Sequence, residues 1–175
     1  MSTVSPETAR RMAKLHVAHG ADYVEAPVFG RPEAALARKL WIPIAGSPAA
    51  KDRIRPVLSA IGAQSIFDFG EHAGAATTVK LAGNFLLISA ARSLAEALAI
   101  AEKSGVNSKA MVEMLTSTLF PAPIYQSYGK VIAEKLPLPP SAIPLKDLGL
   151  FKRTAEQVGS PAPIASQLSD LLRSA

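Results

Sequence analysis

Gly74-Ala75-Ala76-Thr77-Thr78-Val79-Lys80-Leu81-Ala82-Gly83-Asn84 is the point at which this chain changes character. Before it, helical and extended signals alternate; after it, every periodic segment reads as helix. Thr77 to Lys103 reads as one helix of roughly 27 residues, about 40 Å long at 1.5 Å rise per residue. Its residues are apolar nearly all round, which predicts burial between other helices or between subunits. Gly105 ends it. Further helices are predicted at about 108–118, 121–135, 145–158 and 162–173, and the proline-rich run Leu136 to Pro144 reads as a loop.

Upstream, Ser5-Pro6-Glu7 is a helix start. It combines a hydroxyl N-cap, a proline in the first turn and an acid at the positive end of the dipole. That helix runs to about His19 and stops at Gly20. Tyr23 to Phe29 reads as a strand with Pro27 at an edge or near its end, Trp41 to Ala45 as a second, and Ser65 to Phe69 as a third. Ser47-Pro48 starts the helix between the last two and Gly62 closes it. The expected division is an α/β segment of about three strands, residues 1–72, followed by an all-α domain, residues 73–175. A sheet that thin leaves unpaired edges that ask for a partner.

Composition narrows the function classes. Of 175 residues, 49% are hydrophobic and 19% charged, an ordinary globular balance. The net charge of +5 invites a nucleic-acid reading. The basic residues are scattered, however, and the aromatics do not interleave with them as stacking platforms, so no nucleic acid is expected. A mild positive field suits an anionic small molecule. The absence of cysteine excludes disulfides and thiolate zinc sites. The longest apolar stretch, Leu81 to Ala91, is shorter than the ~18 residues of a membrane span, and the amino terminus lacks a signal-peptide core. A cytoplasmic protein without membrane contact is the expectation.

Lys80 and Asn84 lie four apart, so both project from one helix face. Among small and apolar neighbours an ammonium is partly desolvated, its pKa falls, and it can exchange protons near neutrality while a carboxamide one turn on orients a hydroxyl. On spacing alone the ordinary reading, a solvated lysine, is favoured. His16 and His19 are three apart on one helix, but no third ligand accompanies them, so no metal is expected. Tyr125 and Tyr128 read as packing residues.

Four landmarks in order give the chain a resemblance to the β-hydroxyacid dehydrogenases, which include 3-hydroxyisobutyrate dehydrogenase and 6-phosphogluconate dehydrogenase. Ser2-Thr3-Val4-Ser5-Pro6 resembles the segment approaching the nicotinamide, and Ala26-Pro27-Val28-Phe29-Gly30 the substrate-binding strand end. Gly74 through Asn84 resembles the catalytic-lysine helix, and Lys146-Asp147-Leu148 the K-D-L of a late helix that reaches the cofactor. The resemblance implies an incomplete Rossmann-like segment joined through one long interdomain helix to an all-α domain that makes a homodimer. It implies an NAD- or NADP-dependent oxidoreductase acting on a small hydroxy acid or related carbonyl compound. In it Lys80 is the general acid/base and Asn84 orients substrate, while Thr3, Lys146 and Asp147 serve the cofactor, with Asp147 supporting its helix start. Phe29, Gly30 and Arg31 form the substrate loop.

The chain also departs from that pattern. Phe29 and Arg31 stand where the family has a serine and a second glycine, and Gly83 where many members have an asparagine. Phenylalanine removes a hydroxyl donor and adds bulk. Arg31 either restores anion binding through its guanidinium or is an exposed loop residue. A bulkier carbonyl compound or an imine enters the substrate range. No G-x-G-x-x-G turn occurs in the sequence, so the first half of the nucleotide fold is read as lacking, and the chain alone is expected to hold a dinucleotide poorly and to be inactive. The rival reading is a catalytically incompetent helical dimerisation or scaffold module.

Overall fold

The computed structural model describes residues 3–136 and 142–174. Helix α1 (Pro6–Ala18) starts at Ser5, whose side chain accepts from the Thr8 amide at 3.1 Å. A short helix α2 (Pro32–Leu36) follows, then strand β1 (Leu40–Ile44), helix α3 (Pro48–Ala60) and strand β2 (Ala63–Asp68). Ser47 caps α3 by accepting from the Ala50 amide. Helix α4 (Ala75–Lys103) has 29 residues. The remaining helices are α5 (Ser108–Ser117), α6 (Pro123–Ala133), α7 (Ala142–Gln157) and α8 (Pro163–Arg173).

The sheet has two parallel strands, β1 and β2, joined through α3, rather than about three. The third expected strand, Tyr23–Phe29, touches β1 through two isolated antiparallel bridges, Glu25 with Ala45 and Phe29 with Trp41. The reason lies between them. In that register Pro27 stands opposite Pro43, at the place where the next hydrogen-bonded pair would form, and neither proline has an N–H. The ladder therefore breaks into two separate contacts. On its other side β1 keeps its bonds to β2, because the alternate residues point that way.

Two cores result. Leu40, Ile42 and Ile44 of β1 pack with Leu58 of α3, covered by Val24 and Val28 of the bridging segment. In the helical part Leu148 of α7 packs with Ala165, Leu168 and Leu172 of α8. Phe85 of α4 stacks on Phe151 of α7 at 4.6 Å between ring centres and seals that core to the long helix. Helix α4 packs against α6 and α7 on one side and touches α1 and β1 near its start. The proline-rich run splits: residues 137–141 lie outside the described residues, whereas Ala142 to Pro144 already form the first turn of α7, where proline loses nothing by lacking a donor.

A single chain covers α4 only in part. Ala76, Leu81, Leu94 and Leu98 are buried within the chain, but Leu86 and Ile100 are 63% and 68% exposed. One face packs internally and another stays apolar and open. By length and composition α4, with a mean hydropathy of 1.4 over its most apolar 18 residues, is apolar enough to cross a membrane. Its inner face, however, is taken by α6 and α7.

Candidate functional site

The first two turns of α4 are set by a residue the sequence reading passed over. Glu25 is 3% exposed, and its carboxylate accepts from the backbone amides of Gly74 and Thr77, the latter at 2.8 Å. A carboxylate here satisfies two donors that every helix start leaves free and lies at the positive end of the dipole. Gly74 itself has φ of 101° and no capping side chain of its own, so Glu25 substitutes for one from the bridging segment. The pointer in the sequence was an acid inside an apolar run, Tyr23-Val24-Glu25-Ala26.

Lys80 follows one turn on, half-buried. Burial pushes its ammonium below the ordinary lysine range, Asp147 pulls it back up, and Lys146 adds a smaller push down. Its Nζ lies 4.2 Å from the centre of the Phe29 ring. Asn84, one turn further along the same face, donates from Nδ2 to Asp147 Oδ2 at 2.6 Å. Asp147 is 5% exposed and sits in the second turn of α7, not at the helix start. The Lys146 ammonium, half exposed, lies 3.0 Å from Asp147 Oδ1 and donates to the Thr3 carbonyl at 3.3 Å. The contact to Oδ1 lacks hydrogen-bond geometry, so that buried oxygen has no hydrogen-bond partner.

The structure thus brings together Lys80 with Phe29, and Asn84 with Asp147, Lys146 and Thr3. Gly30 has φ of 136° and a Cβ there would meet Leu40 at 2.7 Å, so glycine is required by packing. Arg31 turns elsewhere: its side chain is 60% exposed and lies 3.9 Å from Glu33. His16 and His19 each direct Nδ1 to a carbonyl of their own helix, Met12 and Leu15. Among the described residues no cluster of histidine and acid side chains is arranged to hold a metal. A groove of about 530 Å³ runs between α1, the bridging segment and α3, lined by Met12, Val24, Pro27, Leu58 and Ile61 among others. It is mostly apolar, reaches Glu25 and Thr77 at the start of α4, and does not include Lys80, Asn84 or Asp147.

Residues 74–175 match the family profile described as the NAD-binding of NADP-dependent 3-hydroxyisobutyrate dehydrogenase. The chain belongs to the β-hydroxyacid dehydrogenase family. Residues 1–71 match the NAD binding domain of 6-phosphogluconate dehydrogenase. An uncharacterized oxidoreductase of Bacillus subtilis, YfjR, is 38% identical over 168 residues, covering 94% of this chain and 58% of the relative. The 3-hydroxyisobutyrate dehydrogenase of Pseudomonas aeruginosa is 30% identical, with 97% of this chain and 59% of the relative covered. Among solved structures, a 3-hydroxyisobutyrate dehydrogenase from Salmonella typhimurium superposes with a TM-score of 0.88 at 27% identity, covering 99% of this chain and 61% of that one. The chain therefore spans less than two thirds of the length of these β-hydroxyacid dehydrogenases.

Proposed function

We propose that this chain supplies the proton-transfer side of an NAD(P)-dependent oxidoreductase that interconverts a hydroxy acid and its carbonyl form, or acts on a related semialdehyde or imine. The observation that carries the proposal is the half-buried Lys80 ammonium, lowered by burial and held one helical turn from the Asn84–Asp147 pair. Lowering a lysine's pKa makes its ammonium a better proton donor and leaves more of the amine to accept one, the two roles an acid/base catalyst alternates between. In reduction Lys80 protonates the forming alkoxide; in oxidation it takes the hydroxyl proton. Asp147 holds one N–H of the Asn84 carboxamide, leaving its carbonyl oxygen and second N–H to orient the substrate.

A nicotinamide cofactor, NAD or NADP, supplies the hydride when bound. The residues fit one end of such a group. Lys146 presents a half-exposed cation beside the Thr3 backbone, and Asp147 Oδ1 is a buried acceptor with no hydrogen-bond partner, 3.0 Å from that cation. Phe29, Gly30 and Arg31 form the proposed substrate loop, and Arg31 reaches an acidic substrate only by leaving Glu33. Residues 1–72 are proposed as the second half of the nucleotide-binding domain, with the apolar groove by α1 and α3 supporting a packing role for further structure, and 73–175 as the helical domain. A cytoplasmic site of action accords with the lack of cysteine. The open apolar face of α4, with Leu86 and Ile100 exposed, supports a homodimer.

The test is Lys80→Ala in the whole protein. General acid/base groups supply about 10²–10⁴-fold, so kcat is expected to fall by that factor while cofactor affinity holds. An unchanged kcat removes Lys80 from the chemistry.

A further inference from the structure

Two of the chain's departures from its family touch each other. The Phe29 ring lies against the helix backbone at Gly83, where a Cβ would stand 2.5 Å from Cζ and 2.6 Å from Cε1 of the ring. No side chain at position 83 is compatible with the ring where it is. Glycine inside a helix is unfavourable relative to alanine, because it loses more backbone freedom on folding. Its presence in the middle of α4, a helix otherwise rich in alanine, is explained by the ring it admits.

The same ring meets Lys80, whose Nζ lies over it 4.2 Å from the ring centre. An aromatic face is electron-rich and attracts an ammonium within about 6 Å of its centroid. The base of the ring is fixed as well: Phe29 N–H donates to Trp41 O at 2.8 Å, and Phe29 O accepts from Trp41 N–H at 3.0 Å. The ring is therefore clamped at the backbone, seated on Gly83 and faced by the ammonium. We propose that Phe29 is a positioning residue for Lys80, holding its ammonium on the ring face, with Gly83 as the seat that admits the ring.

This rests on the reading of Lys80 as the proton-transfer group, and it adds a physical balance to it. The hydrocarbon of the ring excludes water and destabilises the ammonium; the π face stabilises it. The other groups bearing on Lys80 are Asp147 and Lys146 from α7, one raising and one lowering its proton affinity. Arg31, next to Phe29 in sequence, turns to Glu33 instead. Removing the ring while keeping apolar bulk takes away the stabilising part and leaves the water exclusion.

The measurement is an NMR pH titration of the full chain labelled with ¹³C at lysine Cε, with the Lys80 signal identified by its loss in Lys80→Arg. In Phe29→Leu, and equally in Phe29→Met, the Lys80 midpoint is expected to fall by about one pH unit, roughly tenfold in proton affinity. Gly83→Ala, which dislodges the ring, should reproduce the fall, and Phe29→Leu with Gly83→Ala together should go no lower than Phe29→Leu. A midpoint that stays or rises in the two Phe29 variants overturns the proposal, and so does an additive shift in the double variant. Should Gly83→Ala fail to fold, the two Phe29 variants decide alone. The titration needs no turnover, so it stands apart from the Lys80→Ala assay: loss of the catalytic reading would show there and not here.

Discussion

Replacing Glu25 with alanine should unfasten the start of α4. In the native chain the Glu25 carboxylate satisfies the amides of Gly74 and Thr77 in a buried setting. Its removal leaves two buried N–H groups without acceptors, each costing about 1–3 kcal/mol. It also removes a negative charge from a helix N-terminus, worth up to about 2 kcal/mol when partly buried. Against these, the mutant no longer desolvates a carboxylate, which returns a few kcal/mol. The net loss is about 2–4 kcal/mol. For a chain of this size each kcal/mol moves Tm by about 2–4 °C, so the drop is about 4–16 °C. Glu25→Gln keeps one acceptor oxygen and should lose about half as much. Differential scanning calorimetry of wild type and both variants makes the comparison. A Tm within 2 °C of wild type for Glu25→Ala would refute the view that this carboxylate holds the helix, as would a glutamine variant worse than the alanine one.

Other outcomes are expected elsewhere in the molecule. Because the folded chain lowers the Lys80 pKa, it carries a penalty for the ammonium that is full below the folded midpoint and relieved as pH rises toward the unfolded lysine value; Lys80→Met should therefore be more stable than wild type at pH 6, with the gain shrinking toward pH 10 in urea titrations. Asp68 is held below the ordinary carboxylate range by Lys51, whose ammonium it meets at 2.7 Å, and by the Gly70 amide. That stability is present above the unfolded aspartate pKa and lost as pH falls through the folded one, so Asp68→Asn should lower stability at pH 7 and flatten the acid limb of the unfolding profile; an acid limb as steep as wild type would remove the assignment. Leu86→Asp and Ile100→Asp, on the open face of α4, should leave the monomer folded and abolish the proposed dimer in sedimentation experiments. Leu94 and Leu98 are buried inside the chain, and aspartate there should unfold it instead.

What could be read from the residues in advance was local. Ser5 and Ser47 signalled their helices because a hydroxyl before a proline caps within three residues, and both caps are present. Lys80 and Asn84 shared a face because four residues make about one turn. The misread strand failed for a reason also written in the sequence, two prolines, but only the pairing register makes them neighbours. Glu25 meets amides 49 and 52 residues away, and no periodicity reports such a distance. Phe29 and Gly83 each look like an isolated departure until the fold puts a ring against a Cα. The open face of α4 was hidden for a different reason: an apolar circumference does not say which residues a single chain covers.

The facing prolines leave the segment from Glu25 to Phe29 fastened to β1 by two clasps, with a donor-free gap between them. Each clasp secures a different part of the machinery. The Glu25 clasp holds the carboxylate that starts α4, and the Phe29 clasp holds the ring that meets Lys80. A continuous ladder would make the two open and close as one zipper. With the gap, a fluctuation at one end has no hydrogen-bonded rung through which to spread to the other. The two clasps thus share no rung, and amide exchange at Glu25 and Ala45 should keep a different rhythm from that at Phe29 and Trp41.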